Sequence, residues 1–177
     1  MARCELTGVL LVGGASRRFG SPKALARFNG KTFAEQAWGV LGEVCDERLA
    51  FGKAHDELSL PFRVYDDGTA VRAPLAGIIA GLRAAQNEVC VFLPVDVPFA
   101  TSALIRKLGE ACREAAVPAT GPLPGAYSRR ALRVLERRFA AGELALRDAL
   151  AELDTVTVEL DPSLLANINA PEELAAL

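Results

Sequence analysis

Three short stretches carry residue types whose spacing suits phosphate and metal chemistry. The first runs Leu11-Val12-Gly13-Gly14-Ala15-Ser16-Arg17-Arg18-Phe19-Gly20-Ser21-Pro22-Lys23, at the end of an apolar run from Leu6 to Val12. Paired glycines let the backbone approach a ligand closely and turn N–H groups toward anionic oxygens. Arg18 can grip a phosphate through two hydrogen bonds, and Lys23 adds a mobile point charge in the same loop. The second stretch, Asp66-Asp67-Gly68, leads into Pro74-Leu75-Ala76-Gly77. Aspartate before glycine commonly forms a local turn, so this stretch reads as a turn or as part of a site. The third, Leu93-Pro94-Val95-Asp96-Val97-Pro98, sets an acid between two prolines behind an apolar run. Asp96 suits Mg²⁺, which takes one or two protein carboxylates and fills its shell with phosphate oxygens and water. The competing reading of Asp96 is a cap for the helix that follows.

Two familiar phosphate-binding loops fail on spacing. A P-loop needs GxxxxGK[ST], and here Gly20 is followed by Ser-Pro-Lys. A dinucleotide fingerprint needs GxGxxG and an acid closing the second strand, which here ends Ala50-Phe51-Gly52. The one histidine, His55, reads as a surface residue, and no Ser-His-Asp or Cys-His machinery builds around it. Cys4, Cys45, Cys90 and Cys112 are far apart with no CxxC pair, which speaks against a disulfide framework or a zinc site and for reduced thiols.

The elements that would position these stretches alternate between strand and helix. Leu6–Val12 and Val89–Leu93 are apolar on both faces, as in central parallel strands covered by helices. Arg48–Phe51 and Phe62–Tyr65 read as further strands. Thr32–Val44 has helical spacing with a capping box at Thr32 and Glu35. Pro74 opens a helix with a stripe through Leu75, Ile78, Ile79, Leu82 and Ala85. Thr101 caps a helix running to about Ala116. Beyond it come a short strand near Gly125–Ser128, helices over Arg129–Ala141 and Leu144–Leu153, a half-buried strand over Asp154–Leu160, a loop from Pro162 to Ile168 and a last helix opened by Pro171. The order predicts a three-layer α/β/α sandwich with a mostly parallel, Rossmann-like sheet. In open sheets of this kind ligands bind at the carboxyl ends of the strands, where all three stretches fall.

The chain has 177 residues, with 20 Lys+Arg against 22 Asp+Glu and a net charge of −2. That length suits a single domain over 1–177 that buries its own core. Near-neutral charge argues against coating of nucleic acid, which needs many basic phosphate contacts, yet allows a local basic pocket for one small phosphorylated ligand. No apolar run is long enough to span a membrane, and the start lacks the pattern of a signal peptide. The expected location is cytoplasmic.

The segment VGGASRRFGSPKAL resembles the nucleotide-binding signature LAGGxSxRMGxxKxL of the molybdenum cofactor guanylyltransferases, a branch of the nucleotidyltransferase superfamily. The resemblance continues through DDGTAVRAPLAGI, LPVDVPF, PLPGAY and the closing NINAPEEL, so it covers almost the whole chain. It implies a nucleotidyltransferase sheet and transfer of GMP from GTP to the phosphate of molybdopterin, releasing pyrophosphate, with Mg²⁺. By the same resemblance Leu11, Val12 and Gly13 would wrap the nucleotide, and Gly14, Arg18 and Lys23 would line the triphosphate. Asp67 would match the acid before PLAG, Asp96 the metal ligand, and Asn167 and Asn169 an asparagine pair near the pterin or the metal. Arg18, Lys23 and Asp96 are the expected catalytic residues. Proteins of cofactor biosynthesis or molybdoenzyme maturation are the expected partners. Departures from the pattern are Val12 for Ala, Phe19 for Met, Ala73 for Gly before PLAG, Phe51 where some members have Asn, and Val95 for Cys. The Pro118–Pro122 region is also shorter than usual and lacks a His. The alternatives are a molybdopterin cytidylyltransferase or another small-acceptor nucleotidyltransferase, and, in a different class, a non-catalytic nucleotide-binding module for cofactor assembly.

Overall fold

The computed structural model describes residues 5–13 and 22–168. Its centre is a seven-stranded sheet. The first strand, β1 (Leu6–Leu11), is followed by a two-stranded hairpin, β2 (Arg27–Phe28) and β3 (Lys31–Thr32), and by β4 (Glu47–Gly52), β5 (Tyr65–Asp66) and β6 (Val89–Pro94). The last three strands are β7 (Ala115–Pro118), β8 (Gly125–Ser128) and β9 (Thr155–Val158). The sheet order is β5-β4-β1-β6-β8-β7-β9, with the hairpin apart. β8 runs antiparallel to both its neighbours, β6 and β7, and every other pairing in the sheet is parallel. The chain builds from β1 outward through β4 and β5, then returns to the other side of β1 as β6. The topological switch point therefore lies between β1 and β6.

Among the described residues five helices cover the two faces: α1 (Phe33–Gly42), α2 (Pro74–Ala84), α3 (Ser102–Ala111), α4 (Leu132–Ala140) and α5 (Leu146–Leu150). Strand alternation explains why β1 and β6 read as continuous apolar runs. Leu6, Leu10, Val91 and Leu93 point to the layer that holds α1 and α3, while Val9, Leu11, Cys90 and Phe92 point to the layer that holds α2, α4 and α5. At Thr32 the hydroxyl accepts from the Glu35 N–H while the Glu35 carboxylate accepts from the Thr32 N–H, so the capping box is present and α1 begins there. Pro74 occupies the first turn of α2, as its fixed φ favours.

Several expected boundaries move. The helix from Thr101 stops at Ala111, and Ala115–Pro118 is a strand between β8 and β9. Of the expected strand Phe62–Tyr65 only Tyr65 joins the sheet, in β5 with Asp66, while Phe62 stacks on Trp38 at 4.2 Å. The helix expected over Leu144–Leu153 is shorter, at Leu146–Leu150, and a 3₁₀ turn over Pro162–Leu165 stands in the expected loop. The helix expected from Pro171 lies outside the described residues.

Candidate active site

A cavity of about 430 Å³ opens at the carboxyl ends of β1, β4, β5 and β6, across the switch point. Leu11 and Gly13 line it from β1; Phe51, Gly52 and Lys53 from β4; Asp67 from beyond β5; and Pro94 and Asp96 from β6. Arg72, Ala73, Pro74 and Gly77 form the wall leading into α2, with Leu123 and Asn167 opposite. The backbone ladder continues past the strand ends into these loops. Val12 N–H donates to the Phe51 carbonyl at 3.0 Å, Val95 N–H to the Leu11 carbonyl at 3.2 Å, and Asp67 N–H to the Gly52 carbonyl at 3.2 Å. Ile168 N–H donates to the Asp96 carbonyl at 2.9 Å, and the Ile168 side chain is buried, which seats Asn167 and Ile168 against the site.

Asp96 lines the cavity and Lys23 stands beside it, with Lys23 Nζ 3.6 Å from Asp96 Oδ2. Their side chains are 16% and 29% exposed, so the pair is shielded but reachable by a ligand. Asp96 does not cap the following helix; the Thr101 hydroxyl does, accepting from Leu104 N–H at 3.3 Å. Asp96 fits a hard cation held by one protein carboxylate together with phosphate oxygens and water. Among the described residues no group of three His, Cys, Asp or Glu side chains could hold a metal by itself, so such a cation would be shared with a bound ligand.

Asp66 and Asp67 take different roles. Asp66 is exposed and accepts from the Ala54 and Gly68 N–H groups, which hold its carboxyl below the usual carboxylate range. Asp67 turns into the cavity wall, where both its oxygens accept from Lys53 Nζ at 2.6 and 2.7 Å. Lys53 also donates to the Thr69 and Val71 carbonyls, each at 2.7 Å, and its side chain is 5% exposed. A buried ammonium costs several kcal/mol unless paired, and here every proton has an acceptor.

Of the residues singled out in the sequence, Leu11, Gly13, Asp67, Asp96 and Asn167 line the cavity and Lys23 reaches it through Asp96. Val12 packs into the core, so only its backbone stands near the cavity rim. Gly14, Arg18 and Asn169 lie outside the described residues. Lys53 and Arg72 were not anticipated as site residues. Lys53 directly follows a strand end, and that position is the signal that could have flagged it. Arg72 is held at the cavity edge by Asp56 Oδ1 at 2.8 Å and the His55 ring at 2.6 Å. Cys45 and Cys90 are buried away from the cleft, and burial pushes their thiols up to about 12, so neither is a nucleophile at neutral pH. No helix among the described residues is long and apolar enough to cross a membrane.

Comparison with known proteins places the chain in a family. The chain is 31% identical, over 96% of its length and 92% of the relative's, to the molybdenum cofactor guanylyltransferase of Desulfosudis oleivorans. Its fold superposes with a TM-score of 0.82 on the molybdopterin-guanine dinucleotide biosynthesis protein A of Archaeoglobus fulgidus, at 23% identity over 96% of this chain and 95% of that one. It also superposes, with a TM-score of 0.74 at 20% identity over 95% of each chain, on the 2-C-methyl-D-erythritol 4-phosphate cytidylyltransferase of Thermus thermophilus. At these identities the two solved structures speak to the fold alone. The family model for the MobA-like NTP transferase domain matches residues 8–156, and with the relatives above it shows that the chain belongs to the MobA-like NTP transferases, a family of nucleotidyltransferase enzymes.

Proposed function

We propose that this chain, acting as one domain over 1–177, transfers GMP from GTP to the phosphate of molybdopterin with Mg²⁺ and releases pyrophosphate. The observation that carries the reading is the Lys23–Asp96 pair facing one cleft with Asp67 and Asn167. In the reaction an oxygen of the acceptor phosphate attacks the α-phosphorus, the bond to the β-phosphate breaks, and pyrophosphate leaves with the electron pair. The nucleophile is already ionised, so no strong general base is required. Catalysis then rests on positioning and charge neutralisation. Lys23 neutralises charge on the triphosphate, and Arg18 is assigned the same role. Asp96 would hold Mg²⁺, which when bound supplies Lewis-acid neutralisation of phosphate oxygens. Gly13, backed by Gly14, brings the backbone close to the nucleotide.

GTP is the nucleotide of this reading because the curated relatives are guanylyltransferases. Asp67 Oδ1 already accepts from Lys53 and Thr69 N–H, whereas Oδ2 accepts from Lys53 alone and keeps a lone pair for one N–H donor of the base edge. Asn167 and Asn169 would face the acceptor, and proteins of cofactor biosynthesis or molybdoenzyme maturation would deliver or receive it. The test is pyrophosphate release from each of the four nucleoside triphosphates, with and without molybdopterin. Release with GTP only when molybdopterin is present is the expected result. Preference for CTP would make the chain a cytidylyltransferase, and binding without release would make it a non-catalytic module.

A further inference from the structure

We infer that Lys53 is a positioning residue that sets base selection in the nucleotide cleft, an inference that rests on the guanylyl-transfer reading above. An ammonium has three protons and no acceptor. Here they serve four oxygens, both of Asp67 and the carbonyls of Thr69 and Val71, all within 2.7 Å. With the side chain buried, no proton points toward a ligand. Lys53 therefore differs from Lys23: it lines a phosphate-binding cleft without being available to grip phosphate.

Its effect falls on the wall it ties together. Asp67 is fixed by Lys53 and by Thr69 N–H, which donates to Oδ1 at 3.2 Å. The Thr69 hydroxyl in turn accepts from Val71 N–H at 3.1 Å. The chain between Asp67 and Pro74 has no regular structure of its own, yet it supplies Arg72 and Ala73 to the cavity. One ammonium at the end of β4 is the common anchor of this segment and of the carboxylate proposed to meet the base. Removing it leaves the phosphate end of the cleft, at Lys23 and Asp96, untouched.

The test is Lys53→Met, followed by steady-state pyrophosphate release with GTP and CTP, amide hydrogen exchange and thermal melting. The KM for GTP should rise about tenfold or more, as for loss of ground-state and transition-state binding alike, with kcat within about threefold. The preference for GTP over CTP should fall about tenfold, and exchange should quicken in residues 66–73 while the sheet amides stay protected. Lys53→Arg keeps a charge on Asp67 but cannot match the point-like ammonium at both carbonyls, so it should recover only part of the preference. A lower melting temperature with wild-type KM and wild-type preference would show a merely structural role and overturn the inference. Should Lys53→Met fail to fold, Lys53→Arg decides: unchanged KM, preference and exchange overturn it, and a raised KM with faster exchange in 66–73 supports it. Failure of the guanylyl reading shows elsewhere, as a wild-type protein that releases no pyrophosphate from GTP.

Discussion

Lys23→Ala separates the chemistry of the cleft from the stability of the fold. Lys23 Nζ stands 3.6 Å from Asp96 Oδ2, with side chains 16% and 29% exposed. Two unit charges about 4 Å apart interact by about 4 kcal/mol at an effective dielectric constant near 20, so a bound triphosphate at this end of the cleft would feel the lysine strongly. The free protein feels it much less, because a partly exposed pair returns only about 0–1 kcal/mol once desolvation and side-chain entropy are counted. The expected loss in kcat/KM for pyrophosphate release is about 10²–10³-fold, the size found when one preorganised donor to a developing charge is removed. The expected fall in melting temperature is under about 4 °C for a chain of this length. Lys23→Arg, which keeps the charge, should retain activity closer to the wild type than Lys23→Ala does. Activity within about threefold of wild type in Lys23→Ala would refute the assigned role, since that corresponds to under about 1 kcal/mol of transition-state stabilisation. A melting loss beyond about 10 °C would refute the reasoning differently, by making Lys23 a structural residue.

Two further predictions concern packing and pH. A Cβ at Gly81 would meet the Phe92 ring at 2.7 Å and Val9 at 3.1 Å in the core, so Gly81→Ala should cost about 1–3 kcal/mol in overpacking, offset in part by helix propensity, and leave KM unchanged. At Gly77 the same atom would meet only the tip of Leu11, at 2.8 Å, on the cavity floor, so Gly77→Ala should melt near the wild-type temperature while KM for the nucleotide rises. Thermal melts beside steady-state kinetics check both. At the start of α1 the Thr32 N–H and hydroxyl hold the Glu35 carboxyl below the ordinary glutamate range. A depressed folded-state pKa gives stability that is present above the unfolded value, about 4.3, and lost as pH falls through the folded one. Glu35→Gln should therefore lower stability near neutrality, where the charged carboxylate contributes, and lessen the loss of stability as pH falls below about 4.3, as measured by urea melts across pH.

What the sequence made legible follows from where the relevant forces act. β1, β6 and α2 are visible because burial on both faces, or a stripe behind a proline, leaves a continuous apolar signal. β7 is not, since Ala115-Ala116-Val117-Pro118 carries more helix than strand preference. It becomes a strand because Ala115 and Ala116 find Tyr127 and Ala126 on one side and Thr155 and Val156 on the other. The short β5 is a similar case, with Phe62 drawn away to Trp38. In the site, Asp96 and Lys23 stand out as charges at a strand end and in a glycine-rich loop. Lys53 also stands at a strand end, but its role is not legible there, because its acceptors lie 14 to 18 residues onward and nothing local marks them.

The backbone bonds that run on from the strand ends say how this site can vary without cost to the fold. Leu11, Gly52 and Phe51 each give a carbonyl to a residue of the neighbouring loop, and Asp96 gives one to Ile168. These bonds involve no side chain, so they hold the cleft in place whatever residues occupy it. The near-neutral balance of the chain conceals a local order in which Lys23 meets Asp96 and Lys53 meets Asp67. The same backbone frame superposes on a cytidylyltransferase from another reaction. Under the proposed reading, choice of nucleotide lies in side chains and not in this shared backbone frame. In this chain, the ones that differ in kind from simple lining residues are Asp67, tied by Lys53, and Arg72, tied by Asp56 and His55. Both ties sit at the β4–β5 side of the cleft, away from Lys23 and Asp96, which is why substitutions on the two sides should separate into effects on nucleotide choice and effects on turnover.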